Sequence, residues 1–512
     1  MKLIFAIDYH TVWGESLYIT GPLPELGNSD DTKALKMELH GAQTWIATID
    51  VKDDTPAFGY RYLVKNDIDH SIRHEYGEDH MFRPAHVSGE YRIYDSWQDQ
   101  PADKPFYSSA FTDCFCRRTH SDHPLHIRKG YINLRVLAPM VLPDQVLAIS
   151  GEPDQLGNWD TTRAIIMNDA HYPQWEANIE LKNLPAHFQY KFLILDKTTG
   201  NVVNWEARDN RTFGYKHPEG TETMVVSGLH FVNTQPYWHG AGTAIPVFSI
   251  RTEQDFGVGD FYDIKLMVDW AAATKQSVLQ LLPINDTTMT HTWTDSYPYN
   301  ANSTFALHPM YLRITELGQL DNAEQQAKFD KMGAELNQLP TVDYERVNNA
   351  KTEFTRAIFA QEGDKTLKSK EFKEFLNINS HWLTPYATFC VLRDKYRTPN
   401  FNAWDEYAVY DSARIDKFIE QNPTDINYVY YIQYHLDKQM REVRRYANEH
   451  GVALKGDIPI GISRYSVDAW IEPRLFNLDC QAGAPPDDFS ILGQNWGFPT
   501  YNWEEMSKDG FQ

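Results

Sequence analysis

Residues 1–230 contain short runs in which apolar and polar positions alternate, as in residues 48–51 (TIDV) and 178–181 (NIEL). Alternation with a period of two is typical of a β-strand that buries one face. Gly, Pro and Asn separate these runs, and no long 3.6-residue pattern interrupts them. The pattern therefore predicts sandwiches built from short strands.

The same stretch contains an internal repeat. Residues 17–28 (LYITGPLPELGN) recur as residues 147–158 (LAISGEPDQLGN), 130 positions later. The same offset relates further matched positions, namely Trp45 and Trp175, and residues 58–62 (FGYRY) and 188–192 (FQYKF). A constant offset over this length indicates a duplicated domain. We predict two all-β sandwich modules, which we name the first module (residues 1–120) and the second module (residues 121–235).

Beyond residue 236 the pattern changes to strand, loop, helix and strand. Four apolar residues follow helical spacing within residues 263–273, namely Ile264, Met267, Val268 and Ala271. A buried strand is predicted directly afterwards, at residues 278–283 (VLQLLP). This order is typical of an α/β barrel. We predict the N-terminal part of a TIM-type barrel over residues 236–512, with a helical insertion at residues 320–450.

Composition limits the partners. A length of 512 residues is typical of about three domains. The 48 basic and 70 acidic residues give a net charge of −22, which argues against nucleic-acid and anionic-membrane partners. No apolar run approaches the roughly 18 residues that span a bilayer. The chain contains 14 Trp, 29 Tyr and 26 Phe residues. Many of these rings belong to the core, and the others can stack on the apolar faces of sugars.

The cysteines indicate a reduced compartment. Cys114, Cys116, Cys390 and Cys480 include only one close pair, so the spacing does not match a zinc site. We expect four free, buried thiols in a cytoplasmic protein, with no metal and no cofactor.

The second module resembles the starch-binding module family. The matching residues are 151–159 (GEPDQLGNW), 190–192 (YKF), 204–206 (NWE) and 210–211 (NR). The resemblance implies that Trp159 and Trp205 form a platform for adjacent glucose rings. It also implies that Lys191, Glu206 and Asn210 bond the sugar hydroxyls. The alternative is that both tryptophans belong to the core, but the polar and turn residues beside them favour the surface.

The first module departs from this pattern. Ser29 stands where the second module has Trp159, His74 replaces Trp205, and Arg61 replaces Lys191. Glu75 is retained. Because both platform rings are missing, we predict weak or absent glucan binding at this surface of the first module.

The C-terminal region resembles the amylomaltase family, the 4-α-glucanotransferases. The matching stretches are residues 246–251 (PVFSIR), 280–283 (QLLP), 297–299 (YPY), 303–309 (STFALHP), 456–460 (GDIPI), 482–490 (AGAPPDDFS), 493–499 (GQNWGFP) and 501–503 (YNW). With starch-binding modules in front, the chain resembles the maltose-using branch. This implies transfer of glucosyl units from maltose or maltodextrin to an α-glucan such as starch or glycogen.

A retaining transfer needs two carboxyl groups about 5 Å apart, one as nucleophile and one as acid/base. In this family they lie in segments resembling R-I-D-H, E-D-L-G and H-D-N, after the motifs quoted above. The printed sequence contains no E-D-L-G or H-D-N. We therefore expect the chain to be C-terminally truncated, with its catalytic carboxylates beyond Gln512, and the 512 residues alone to be inactive.

Two segments imitate the nucleophile motif. Residues 413–418 (ARIDKF) place Asp416 before Asp457, which is the wrong order, and Lys417 replaces the histidine. The surrounding pattern predicts an amphipathic helix start with Ser412 as a cap. Residues 68–70 (IDH) lack the arginine and lie within the first module. Neither segment is predicted to be catalytic.

The remaining candidates are substrate contacts. Asp457 follows a predicted barrel strand, where carboxylates often meet ligands, although a structural carboxylate is the alternative. The resemblance places further contacts around the same cleft, namely Tyr297, Tyr299, Ser303, Gln494 and Trp496. Two other functions stay open: a non-catalytic starch- or glycogen-binding protein, and a hydrolase in which water accepts the glucosyl group.

Overall fold

The computed structural model describes residues 1–84, 89–99, 104–215, 223–234, 237–508 and 510–511. It divides into two compact units, Met1–His239 and Gly240–Gln512. The first unit contains both sandwich modules, and the second contains the predicted barrel region.

The first module is a sandwich of two sheets, as its alternation predicts. Its strands are β1 (Lys2–Asp8), β2 (Glu15–Thr20), β3 (Leu35–Lys36), β4 (Glu38–His40), β5 (Thr44–Asp50), β6 (Phe58–Asn66), β7 (Ile72–His74), β8 (His80–Phe82) and β9 (Glu90–Asp95). One sheet has the order β4-β5-β1-β9, and the other has the order β3-β2-β6-β7 with β8 beside β6. Buried side chains from both sheets, including Phe5, Ile19 and Tyr60, fill the space between them.

The second module repeats this architecture. Its strands are β10 (Tyr131–Leu137), β11 (Gln145–Gly151), β12 (Ile165–Ile166), β13 (Asn168–His171), β14 (Gln174–Glu180), β15 (Phe188–Asp196), β16 (Val202–Trp205), β17 (Arg211–Phe213) and β18 (Thr223–His230). The sheets have the orders β13-β14-β10-β18 and β12-β11-β15-β16, with β17 beside β15. Trp175 and its repeat partner Trp45 are both buried in the cores, as the repeat indicates.

The two modules share one continuous sheet, which the sequence pattern does not predict. β9 of the first module pairs in parallel with β18 of the second. Next to this junction Ser227 donates a hydrogen bond to the buried carboxylate of Asp95. The rings of Tyr94 and Tyr215 stack with centroids 4.0 Å apart. The modules therefore form one structural body within the first unit.

The second unit begins with parallel α/β structure. The strands β19 (Gly242–Ile245), β20 (Val278–Leu281) and β21 (Ala453–Lys455) pair in parallel in that order. Helix α1 (Asp263–Ala273) connects the first two and matches the predicted residues. Its Ile264, Val268 and Ala271 are fully buried against the strands, which confirms the helical spacing.

Helices fill the segment between β20 and β21. They are α2 (Ala323–Asn337), α3 (Tyr344–Lys368), α4 (Lys370–Tyr396), α5 (Ser412–Gln421) and α6 (Pro423–Glu449). α5 has its predicted apolar face, with Ile415 and Phe418 buried, but its cap is Asp411, which accepts from the backbone N–H of Arg414. The prediction of Ser412 as the cap was wrong, because Ser412 already lies in the helix.

Short elements end the second unit. They are α7 (Val467–Ile471), β22 (Phe476–Asn477), β23 (Gly483–Ala484), β24 (Gln494–Asn495), β25 (Thr500–Tyr501) and α8 (Trp503–Ser507). The cysteines are free, but Cys480 is exposed, so the expectation of four buried thiols was wrong for that residue. Among the described residues, no helix combines the length and apolar character needed to cross a membrane.

Candidate functional site

Trp159 and Trp205 come together on one surface of the second module. Trp159 lies in a left-handed turn with φ of 65°, and its backbone N–H donates to the carbonyl of Gly151. Trp205 ends β16 opposite Leu193 of β15, and it packs against a small apolar cluster on the outer face of that sheet. The two ring centroids are 6.4 Å apart and the ring planes are inclined by 54°. Both rings are partly exposed, so they form a bent aromatic platform rather than core.

Lys191 and Asn210 flank this platform. Lys191 lies two residues before Leu193 on β15, so it is on the same face of the sheet as the apolar cluster under Trp205. Asn210 is exposed, and its side-chain amide donates to Oε1 of Gln189 at 2.8 Å. This bond fixes the amide at the surface and leaves its carbonyl oxygen as an acceptor.

Glu206 does not lie on the platform surface. Its side chain is fully buried and forms an ion pair with Arg211 at 2.8 Å. One carboxylate oxygen also accepts from the backbone N–H of Phe192 at 3.2 Å. The expectation of a surface ligand therefore needs correction, because Glu206 ties β15 to β17 from behind the platform. The sequence pattern does not predict Arg211 as its partner, although Arg211 belongs to the matched Asn-Arg pair.

The corresponding surface of the first module carries different chemistry. His74 lies 3.1 Å from a carboxylate oxygen of Asp31. Arg61 donates to Asp79 at 2.6 Å. Together with Ser29, these residues replace the aromatic pair by hydrogen-bonded polar groups.

In the second unit, Asp457 follows the end of β21 by two residues. The phenol of Tyr299 donates a hydrogen bond to Oδ2 of Asp457 at 2.8 Å. This bond is the main cause that raises the pKa of Tyr299. The half-exposed ring of Tyr297 lies 5.7 Å from that of Tyr299. The structure therefore brings three of the predicted contacts together at the carboxyl end of a barrel strand.

Ser303 is placed differently from its expected role. It is buried, and its hydroxyl oxygen accepts from the backbone N–H groups of Phe305 and Ala306 at 3.2 and 3.1 Å. The side chain therefore stabilises a turn. The expectation of a hydroxyl exposed to the cleft needs correction for this reason.

Gln494 and Trp496 lie on the hairpin formed by β23 and β24. The indole N–H of Trp496 donates to Oε1 of Gln494 at 3.0 Å, and both residues are exposed. Gly493 has φ of 72°, and a Cβ there would meet the carbonyl oxygen of Ala484 at 2.6 Å. Among the described residues no hydrogen bond joins this pair to Asp457 or Tyr299. The glycine turn and the indole–amide bond fix the pair as one exposed unit.

A buried polar network beside the Tyr297–Tyr299 segment was not predicted. The carboxylate of Asp286 accepts from the phenol of Tyr386, the amide of Asn302 and the hydroxyl of Thr288, at 2.8, 2.8 and 2.6 Å. The sequence contains a signal for this network, because Asp286 closely follows the predicted strand at residues 278–283. The network therefore ties the loop that contains Tyr297 and Tyr299 to helix α4.

The two segments that imitate the nucleophile motif lie outside the candidate site. Asp416 lies on the exposed side of α5, and residues 68–70 belong to the turn between β6 and β7. Within the described part of the chain, no group of three or more His, Cys, Asp or Glu side chains is arranged to hold a metal ion.

Comparison with known families agrees with this division of the chain. A family profile described as a starch-binding domain matches residues 1–91 and 131–225. A profile described as 4-alpha-glucanotransferase matches residues 245–512, more than half of the chain. The chain belongs to the 4-α-glucanotransferase family. Both expected family resemblances are thereby confirmed, as is the fold class of two sandwich modules followed by an amylomaltase-type domain.

Individual relatives cover different parts of this 4-α-glucanotransferase family chain. The 4-alpha-glucanotransferase DPE2 of Oryza sativa subsp. japonica is 35% identical over 100% of this chain and 56% of its own length. The 4-alpha-glucanotransferase of Chlamydia muridarum is 34% identical over 53% of this chain and 50% of its own length. A solved amylomaltase from Streptococcus agalactiae in complex with acarbose is 25% identical, covering 54% of this chain and 55% of its own, with a TM-score of 0.46. The chain spans about half the length of the curated relatives it matches.

Proposed function

We propose that this chain supplies the glucan-recognition part of a 4-α-glucanotransferase that moves glucosyl units from maltose or maltodextrin to starch or glycogen. The observation that carries the proposal is the tandem arrangement of a starch-binding platform and an amylomaltase-type region in one chain. A transferase that acts on a polymer benefits from holding the acceptor near its active site, because a tethered acceptor has a high effective concentration.

The platform is proposed to bind the polymeric acceptor. Trp159 and Trp205 offer two adjacent ring faces, and a pyranose has a complementary apolar face. Lys191 and Asn210 stand beside the rings as polar groups for the hydroxyl rim. Glu206 is proposed to support the platform through its ion pair with Arg211.

The cleft of the second unit is proposed to bind the donor. Asp457 accepts from Tyr299 through one oxygen, and its other oxygen takes only the N–H of Ile458 among the described residues. A carboxylate held in this way can accept hydrogen bonds from vicinal sugar hydroxyls. Tyr297, Gln494 and Trp496 are proposed as further contacts, and Ser303 as the residue that shapes the loop.

The paired carboxylates of a retaining transfer belong, by family resemblance, to motifs that the printed sequence does not contain. We therefore propose that residues 1–512 bind glucan without turning it over. The free thiols fit a reducing compartment, and a cytoplasmic location is proposed on that basis.

Incubating the native-length protein with maltose, with and without glycogen, tests the proposal. Glucose release that requires glycogen supports transfer. Release from maltose alone supports a hydrolase, and binding without turnover supports the alternative of a non-catalytic glucan-binding protein. Residues 1–512 assayed in parallel should bind starch and release no glucose.

A further inference from the structure

A second aromatic surface lies in the helical part of the second unit, where Phe305 of the motif at residues 303–309 meets helix α4. The ring of Phe305 is 55% exposed and stacks on Trp382 of α4, with centroids 5.8 Å apart and planes inclined by 14°. The two rings border a groove of about 320 Å³ between α4 and α6, which we name the Phe305 groove. Its lining also includes Leu307, Asn379, Gln433, Asp437, Arg441 and Arg444.

The Phe305 groove is held in shape before any ligand binds. Ser303 caps the backbone N–H of Phe305, and Thr304 donates to Asp468 at 2.8 Å. Gln433 is buried in the floor and forms two hydrogen bonds with the backbone of Leu307, one to its carbonyl and one from its N–H. The indole N–H of Trp382 donates to Asn379 at 3.0 Å. Because both rings are fixed, binding would cost little side-chain entropy.

The polar rim of the groove offers hydrogen-bond donors and an acceptor. Arg441 donates to the carboxylate of Asp437 at 2.7 Å, so these two charges partly offset each other, and Arg444 adds a second guanidinium to the rim. The pair still offers N–H donors and a carboxylate acceptor beside an exposed ring. Such a combination matches a sugar, which has an apolar face and a rim of hydroxyls that both donate and accept, better than it matches an apolar helix.

We propose that the Phe305 groove binds a short segment of α-1,4-glucan through stacking on Phe305 and hydrogen bonds to Asp437 and Arg441. The proposal rests on the proposed function for its choice of ligand, because the same chain carries a starch-binding module. The loop of Phe305 also carries Tyr299, six residues earlier, which bonds Asp457. A glucan chain held in the groove is therefore anchored by the same loop that shapes the donor cleft.

Maltoheptaose binding to the 512-residue chain, measured by calorimetry, tests the proposal. The other two glucan surfaces are first weakened with Trp159→Ala, Trp205→Ala and Asp457→Asn. In this background, where the other two surfaces are weakened, we expect adding Phe305→Ala to raise the Kd for maltoheptaose about tenfold. Trp270→Ala, which removes a comparably exposed tryptophan from α1, should leave Kd unchanged.

The conservative variant Trp382→Phe guards against misfolding, because it keeps an aromatic partner under Phe305. We expect it to weaken binding less than Phe305→Ala does. The proposal is overturned if the background chain does not bind maltoheptaose, or if Phe305→Ala binds it as tightly as the background. Neither result affects the glucose-release assay, so a failure of the groove can be told apart from a failure of the proposed function. Equal affinity for cellohexaose would also contradict the proposal, because it would show that α-linkage is not recognised.

Discussion

The indole rings of Trp159 and Trp205 lie 6.4 Å apart on the outer face of the second module, inclined by 54°. Truncating either ring removes half of the proposed platform. We expect Trp159→Ala and Trp205→Ala each to weaken binding to granular starch by about tenfold, since aromatic anchors commonly contribute more than about 1 kcal/mol. Sedimentation with starch granules measures this. Tyr237→Ala removes an exposed ring elsewhere in the first unit and should change nothing; equal binding by all three variants would contradict the platform.

The buried pair of Glu206 and Arg211 should contribute to stability. Arg211→Met leaves the carboxylate buried without its cation, and we expect a cost of about 3 kcal/mol. Hydrogen exchange of β15–β17 measures the loss. The matched control is Arg163→Met, which breaks an exposed pair with Asp154 and should change hydrogen exchange much less, because solvent screens that pair. Similar exchange in both variants would show that burial does not distinguish the pairs.

His80 gives the first module a pH dependence. Burial, the largest single influence, lowers its pKa, but the carboxylates of Asp95 and Glu75 together outweigh burial and raise the pKa to about 9. The folded module therefore holds this proton more tightly than the unfolded chain, whose histidine has a pKa near 6.5. The resulting stabilisation, about 3 kcal/mol, is complete below pH 6.5 and is lost as the pH rises through 9.

Hydrogen exchange of β6 and β8 at several pH values checks this dependence. Other polar groups also surround His80 and its carboxylate partners, namely Tyr60, Tyr62, Asp79 and Gln98. We expect His80→Gln to flatten the profile between pH 6.5 and 9. His40→Gln, at an exposed position, should leave the profile as it is. A wild-type profile that is flat over this range would contradict the assignment.

Asp457 and Asp416 provide a matched pair for the donor cleft. Asp457→Asn removes the charge that accepts from Tyr299, and charged hydrogen bonds contribute about 1.5–3 kcal/mol. We expect maltose binding to weaken by about tenfold or more, as measured by calorimetry. Asp416→Asn, on the exposed face of α5, should bind maltose like the unchanged chain. Weaker maltose binding by Asp416→Asn than by Asp457→Asn would contradict the proposed role of Asp457 and indicate that Asp416 is functional.

Periodicity in the sequence predicted the helices and strands whose apolar positions repeat within a single element. Helix α1 matches residues 263–273 because its apolar face repeats within one helix, and the sandwich strands follow from alternation. The pairing of β9 with β18 escaped prediction, since it joins strands from different modules and leaves no periodic trace.

The site residues divide in the same way. The family resemblance indicated Trp159 and Trp205, and the end of a predicted strand indicated Asp457; their roles in binding stay predictions. Glu206 and Ser303 were misjudged, because their burial depends on Arg211 and on a backbone turn that spacing does not reveal. A family motif therefore indicates which residues share a site, and the structure shows which of them are exposed and which are buried.

The most direct test of the account is glucose release from maltose by the native-length protein, measured with and without glycogen. The account predicts release that depends on glycogen and falls when Asp457→Asn is introduced. Glucose release that is equal without glycogen would contradict transfer to a glucan acceptor, and an absence of release under both conditions would contradict the assignment as a glucanotransferase.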